Sequence, residues 1–120
     1  MRLESKKYLY DVARAAALAL EFVRGKSFAE YAADALLRSA VERQLEIVGE
    51  ALVRLAKIDP ETAAQISEHK RIVAFRNILI HGYADIDHRI VWGVLEGKLP
   101  AARREAEGLL AAEEKGEGRR

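Results

Sequence analysis

The sequence predicts an all-α fold, an up-down bundle of five to six helices, and three observations carry that prediction. Apolar residues recur at three- and four-residue spacings along most of the chain, which stripes one face of a helix. Serine, aspartate, glycine and proline fall mostly where such stripes begin and end. No segment alternates apolar and polar residues with the period of a strand, and no internal repeat is visible.

The first helix is expected from about Ser5 to Arg24, with Leu9, Val12, Ala13, Ala16, Leu20 and Val23 on its apolar face. Gly25 follows as a C-terminal stop, and Ser27-Phe28-Ala29-Glu30 has the form of a capping box that starts the next helix. From Phe28 to about Lys57 the pattern fits one long helix, or a short one joined to a long one near Tyr31 to Ala35. Val41, Leu45, Val48, Leu52 and Leu55 make the seam of a helix packed lengthwise on another. Gly49 lies inside that seam, where glycine costs about 1 kcal/mol against alanine, so it is expected to admit a close neighbour. Arg43, Glu46, Glu50 and Arg54 form a charged row on one face, read either as a solvated ion-pair face or as a contact for a second subunit.

Asp59-Pro60-Glu61 supplies an N-cap, a first-turn proline and an acidic first turn, so a short helix is expected to about Ser67. Ile72, Phe75 and Leu79 then stripe a helix from about His69 to His81, ended by Gly82. Asp85 to Asp87 offer caps for a helix over 88–97 that buries Ile90, Val91 and Val94. Pro100 opens a last helix carrying Ala102, Ala106, Leu109 and Leu110. The chain is thus one helical domain over 1–112, with 113–120 expected to be a flexible tail.

Composition narrows the function. With 120 residues, 50% hydrophobic and 32% charged, the chain is large enough to bury one core. No cysteine is present, which removes disulfides, thiolate catalysis and cysteine-bound zinc. No apolar run nears the roughly 20 residues of a membrane span, and the charged start lacks an apolar signal core, so a cytoplasmic protein is expected. No HExxH and no acidic cluster at ligand spacing points to a metal site. The net charge of +1 is unevenly spread: residues 69–104 hold seven Lys/Arg against three Asp/Glu, while 27–68 hold four against eight.

Within that basic segment, Arg76-Asn77-Ile78-Leu79-Ile80-His81-Gly82-Tyr83 gathers most of the plausible reactive chemistry, including the only asparagine and one of the three histidines. Arginine offers a planar fork to phosphate oxygens, and a histidine in the last turn of a helix can move a proton. Together they suit metal-free phosphodiester cleavage, with Asn77 orienting either one. The alternative is that both side chains merely meet the free carbonyls of a helix end. At roughly 100° per residue the two leave a helix about 140° apart, so they converge only if the helix end unwinds or a second copy completes the site. His69 and His88 are expected at the surface, Phe75 and Trp92 in the core.

The stretch Arg76 to Tyr83 resembles the HEPN superfamily, and specifically the HepT-like ribonuclease toxins paired with minimal nucleotidyltransferase antitoxins. Ala40-Val41-Glu42-Arg43-Gln44-Leu45-Glu46-Ile47-Val48-Gly49-Glu50-Ala51 is similar to that family's long-helix signature. Tyr8 to Asp11, Gly25 to Phe28, Ile86-Asp87 and Val91-Trp92 match in order around it. The resemblance implies a metal-independent endoribonuclease acting on tRNA or mRNA without a cofactor, with Arg76 and His81 catalytic in a homodimer cleft and Asn77 supporting. It further implies that a partner nucleotidyltransferase silences the toxin by AMPylation of Tyr83, whose alternative reading is a half-buried loop aromatic. A non-catalytic HEPN module, which binds a nucleotide or scaffolds the nucleotidyltransferase, is the other function the resemblance allows.

Overall fold

The long helical region expected from Phe28 to Lys57 is broken once, at Asp34, and the break sets how the bundle turns. In the computed structural model, which describes residues 1–82 and 86–118 with side chains through 116, α1 (Leu3–Phe22) is followed by α2 (Phe28–Ala33) and α3 (Ala35–Ile58). The Asp34 carboxylate caps α3 by accepting from the Leu37 amide at 3.0 Å, and Arg38 reaches back to the Ala32 carbonyl left free at the end of α2. The chain continues through α4 (Pro60–Ala64), α5 (His69–His81), α6 (His88–Glu96) and α7 (Lys98–Gly118). Counting the short α2 and α4, the described residues hold seven helical segments and no strand.

Local signals fall where the sequence places them. Ser27 and Glu30 form the reciprocal capping box, with bonds of 3.1 and 2.9 Å. Gly25 takes φ +73°, a left-handed turn few other residues adopt cheaply. Asp59 caps α4 through the Thr62 amide at 3.2 Å and also accepts from the Thr62 and Ser5 hydroxyls at 2.7 and 2.8 Å. The Thr62 hydroxyl first, then that of Ser5, lowers the Asp59 pKa from its ordinary value. Because Ser5 opens α1 and Asp59 closes α3, this bond also establishes that α1 and α3 run antiparallel.

The core is the seam between those two helices. Leu9, Val12 and Ala16 of α1 meet Val41, Leu45, Val48, Leu52 and Leu55 of α3, all buried. Each leucine contributes roughly 1.5–3 kcal/mol by leaving water. The buried alanines at 13, 15, 16 and 19 let the axes approach, and α7 covers the other side of α1 with Leu99, Ala102 and Ala106. Among the described residues no helix is long and apolar enough to cross a membrane.

Three expectations change. Ile90 is 55% exposed instead of buried, because the buried stripe of α6 is Val91, Val94 and Leu95, and Ile90 sits about 100° from Val91 at its edge. α7 remains helical to Gly118, so the expected tail begins as helix; its Ala, Glu and Lys residues favour that state. His88 is not a plain surface residue. Its ring meets Tyr31 edge-on at 6.4 Å and its Nδ1 is buried without a hydrogen-bond partner, as is the Tyr31 hydroxyl. Burial raises the Tyr31 pKa far above the ordinary phenol value.

Candidate active site

α5 carries three of the sequence-expected site residues, Arg76, Asn77 and His81, and three side chains hold it in place. Ile72, Phe75 and Leu79 are buried against the bundle. A 13-residue helix is marginal alone, so its position depends on that anchorage and on its crossing with α3. The crossing point is Gly49. A Cβ built there would lie closer than 3.0 Å to both Cβ and Cγ of Arg76, so the aliphatic stem of Arg76 occupies the space that any other residue at 49 would fill.

The guanidinium of Arg76 lands on the next residue of α3. Nη2 donates to Glu50 Oε2, and Nη1 donates to Asn77 Oδ1 at 2.9 Å. Arg54, one turn along α3, donates through Nε to the other Glu50 oxygen at 2.9 Å. The Arg54 hydrogen bond first, with the nearby Arg76 charge, lowers the Glu50 pKa, which keeps its carboxylate ionised at neutral pH. Arg76 is the less exposed partner, its side chain 23% accessible against 39% for Glu50. Glu50 and Arg54 also line a groove of about 230 Å³ between α1 and α3, together with Lys7, Tyr8, Arg43 and Glu46. The charged row of α3 is therefore the wall of a groove, with Arg43 and Glu46 paired at 3.4 Å.

His81 stands apart from this network. It is the last residue of α5, exposed, and forms no hydrogen bond among the described residues. The helix stays wound to its end, since the Gly82 amide bonds the Ile78 carbonyl at 2.7 Å. Arg76 and His81 therefore leave the axis about 140° apart, and unwinding does not bring them together. Arg76 is ion-paired, as a purely structural role would have it; among the described residues the His81 side chain is neither paired nor tied to a carbonyl. Ile78, 53% exposed, shares the face of His81 at i+3. Tyr83 lies outside the described residues, as does Asp85 of the expected cap region. The cap of α6 is Asp87, which accepts from the Arg89 amide at 2.8 Å.

Among the described residues no three His, Cys, Asp or Glu side chains come together as a metal site would need. Phe75 is core as expected, and Trp92 is half-buried beside Tyr31 and Phe28. What the sequence reading missed is Glu50 as the partner of Arg76. Its only signal was position, since it follows the one glycine inside a buried helix seam.

The crossing yields a direct prediction. Gly49→Ala should destabilise the fold by about 1–3 kcal/mol, the cost of overpacking, against the gain of about 1 kcal/mol that alanine brings to an open helix. A thermal melt showing a raised midpoint would overturn the close-approach reading.

Comparisons with known proteins agree on one family. The model of the family described as ribonuclease HepT-like matches residues 12–109. A candidate RNase of Methanocaldococcus jannaschii is 34% identical over 102 residues, covering 85% of this chain and 93% of that protein. A candidate RNase of Caldanaerobacter subterraneus subsp. tengcongensis is 31% identical over 108 residues, 90% of this chain and 96% of the relative. A protein named as a candidate ribonuclease HepT in Thermococcus cleftensis is 31% identical over 109 residues, 91% and 98% of the two chains. No solved structure matches.

Proposed function

The chain belongs to the ribonuclease HepT-like family and is an endoribonuclease, and from that premise we propose that it cuts RNA without a metal ion, as the toxin of a toxin-antitoxin pair. Arg76 and His81 are the catalytic residues of this reading. The observation that supports it is the division of labour on α5: a cation anchored by Glu50 and Asn77, and five residues on, an exposed histidine whose side chain has no hydrogen-bond partner among the described residues. One His81 takes the proton from the ribose 2′-hydroxyl as that oxygen attacks phosphorus. The phosphorus–5′-oxygen bond breaks, a proton is returned to the departing oxygen, and a 2′,3′-cyclic phosphate is left. Arg76 lies against the phosphate oxygens as charge builds on them.

The offset of about 140° between the two side chains favours a homodimer, in which Arg76 of one protomer and His81 of the other share one cleft. The exposed Ile78 beside His81 supplies an apolar contact for that pairing. The cleft would then combine basic segments from both copies and take tRNA or mRNA as substrate. A partner nucleotidyltransferase, acting in the same cytoplasm, silences the toxin by AMPylation of Tyr83. A nucleotide on that phenol places negative charge two residues from His81, where the RNA phosphate should lie.

Two experiments test this. Purified protein incubated with total RNA in excess EDTA is expected to produce fragments ending in cyclic phosphate; RNA left intact at stoichiometric protein would overturn the nuclease reading. Co-expression with a nucleotidyltransferase encoded beside it is expected to add AMP-sized mass to the protein, lost in Tyr83→Phe. Mass that persists in the variant places the modification elsewhere.

A further inference from the structure

From the two contacts that Glu50 makes, we infer that it is a positioning residue for RNA cleavage: it fixes the guanidinium of Arg76 in the orientation that meets the scissile phosphate, and does not itself touch RNA. This rests on the nuclease reading of Arg76 and deepens it. The geometry is a chain of holds. The Arg76 stem is seated on Gly49, its Nη2 is bound by Glu50, and its Nη1 by Asn77. Glu50 is in turn held by Arg54, which lies beside Tyr8 of α1 in the same groove.

Each end of the guanidinium has one N–H engaged, so of its five donors three remain for phosphate oxygens. A carboxylate bound by one guanidinium alone would cancel its charge and weaken phosphate binding. Here Glu50 lies between two, so Arg54, Glu50 and Arg76 together keep one positive charge. The arrangement immobilises a flexible cation without neutralising the site. Arginine carries large rotamer entropy, and fixing it before substrate arrives lowers the cost of reaching the transition state.

The test uses the full chain and two measurements. In the first, NMR of the arginine side chains is expected to show separate Nη signals for Arg76, because both ends are held. These should merge in Glu50→Gln, whose neutral amide cannot hold two guanidiniums. Signals merged already in the parent, or unchanged in the variant, overturn the hold. In the second, steady-state cleavage of a defined RNA is expected to show kcat lower by about 10- to 100-fold in Glu50→Gln, the scale of a small misplacement, with KM unchanged or lower because a negative charge has gone.

A raised KM with kcat intact would make Glu50 a binding residue and overturn the proposal. Glu50→Asp keeps the charge on a shorter stem and is expected to fall between parent and Gln; no recovery over Gln also overturns it. If the parent cleaves no RNA, the nuclease reading fails and with it the catalytic purpose of the contact, while the NMR separately decides whether Glu50 holds Arg76.

Discussion

His81→Ala is expected to leave a fully folded protein whose RNA cleavage is slower by about 10²- to 10⁴-fold, the contribution of a positioned general acid or base. Folding should be spared because His81 is exposed, ends its helix, and forms no hydrogen bond among the described residues. Nothing buried loses a partner, so the melting midpoint should stay close to that of the parent. That combination makes the experiment decisive, because an activity loss cannot then be blamed on unfolding. Equal cleavage by variant and parent would remove His81 from the mechanism. In the dimer reading, mixing excess His81→Ala with excess Arg76→Ala subunits should restore part of the activity, since each mixed dimer keeps one intact cleft. Absence of any recovery would favour a site built within a single chain.

Arg76→Ala is the second large effect, expected to lower kcat by about 10²- to 10³-fold, as loss of one donor to a developing oxyanion does. Its structural consequence differs from that of His81. The stem of Arg76 fills the space over Gly49, so truncation loses packing as well as charge. The cost should stay within about 1 kcal/mol, since the Glu50 pair is partly solvated and Glu50 retains Arg54 as partner. Kinetics at two salt concentrations, read beside a urea melt, check both halves. Unchanged kcat, or a stability loss large enough to account for the activity, would count against an electrostatic role.

What could be read from the sequence was whatever is local. The capping box at Ser27, the left-handed turn at Gly25 and the seam from Val41 to Leu55 each depend on residues within a turn or two of one another. Arg76, Asn77 and His81 were found as candidates because they sit together in eight residues. Gly49 was read as a close approach, but not what approaches, because Arg76 is 27 positions away in the chain. A separation of 26 positions hid Glu50 behind a row of charges that pairs with itself on paper. His88 was misread for a related reason: Tyr31 meets its ring only when α2 packs on α6. The exposed Ile90 shows the limit of periodicity, which gives a stripe but not its edge.

Gly49 has a further implication, for protein engineering. A program of stabilisation by helix propensity would rank an interior helix glycine among the first positions to replace, as a routine gain. At this position the gain is illusory, because the missing methyl is where the aliphatic part of the catalytic candidate rests. The longest helix among the described residues thus gives up intrinsic stability at the turn where the stem of Arg76 lies against it. A more robust variant should be sought on the solvent faces of α1 and α7 and should leave the turn at Val48 to Glu50 alone.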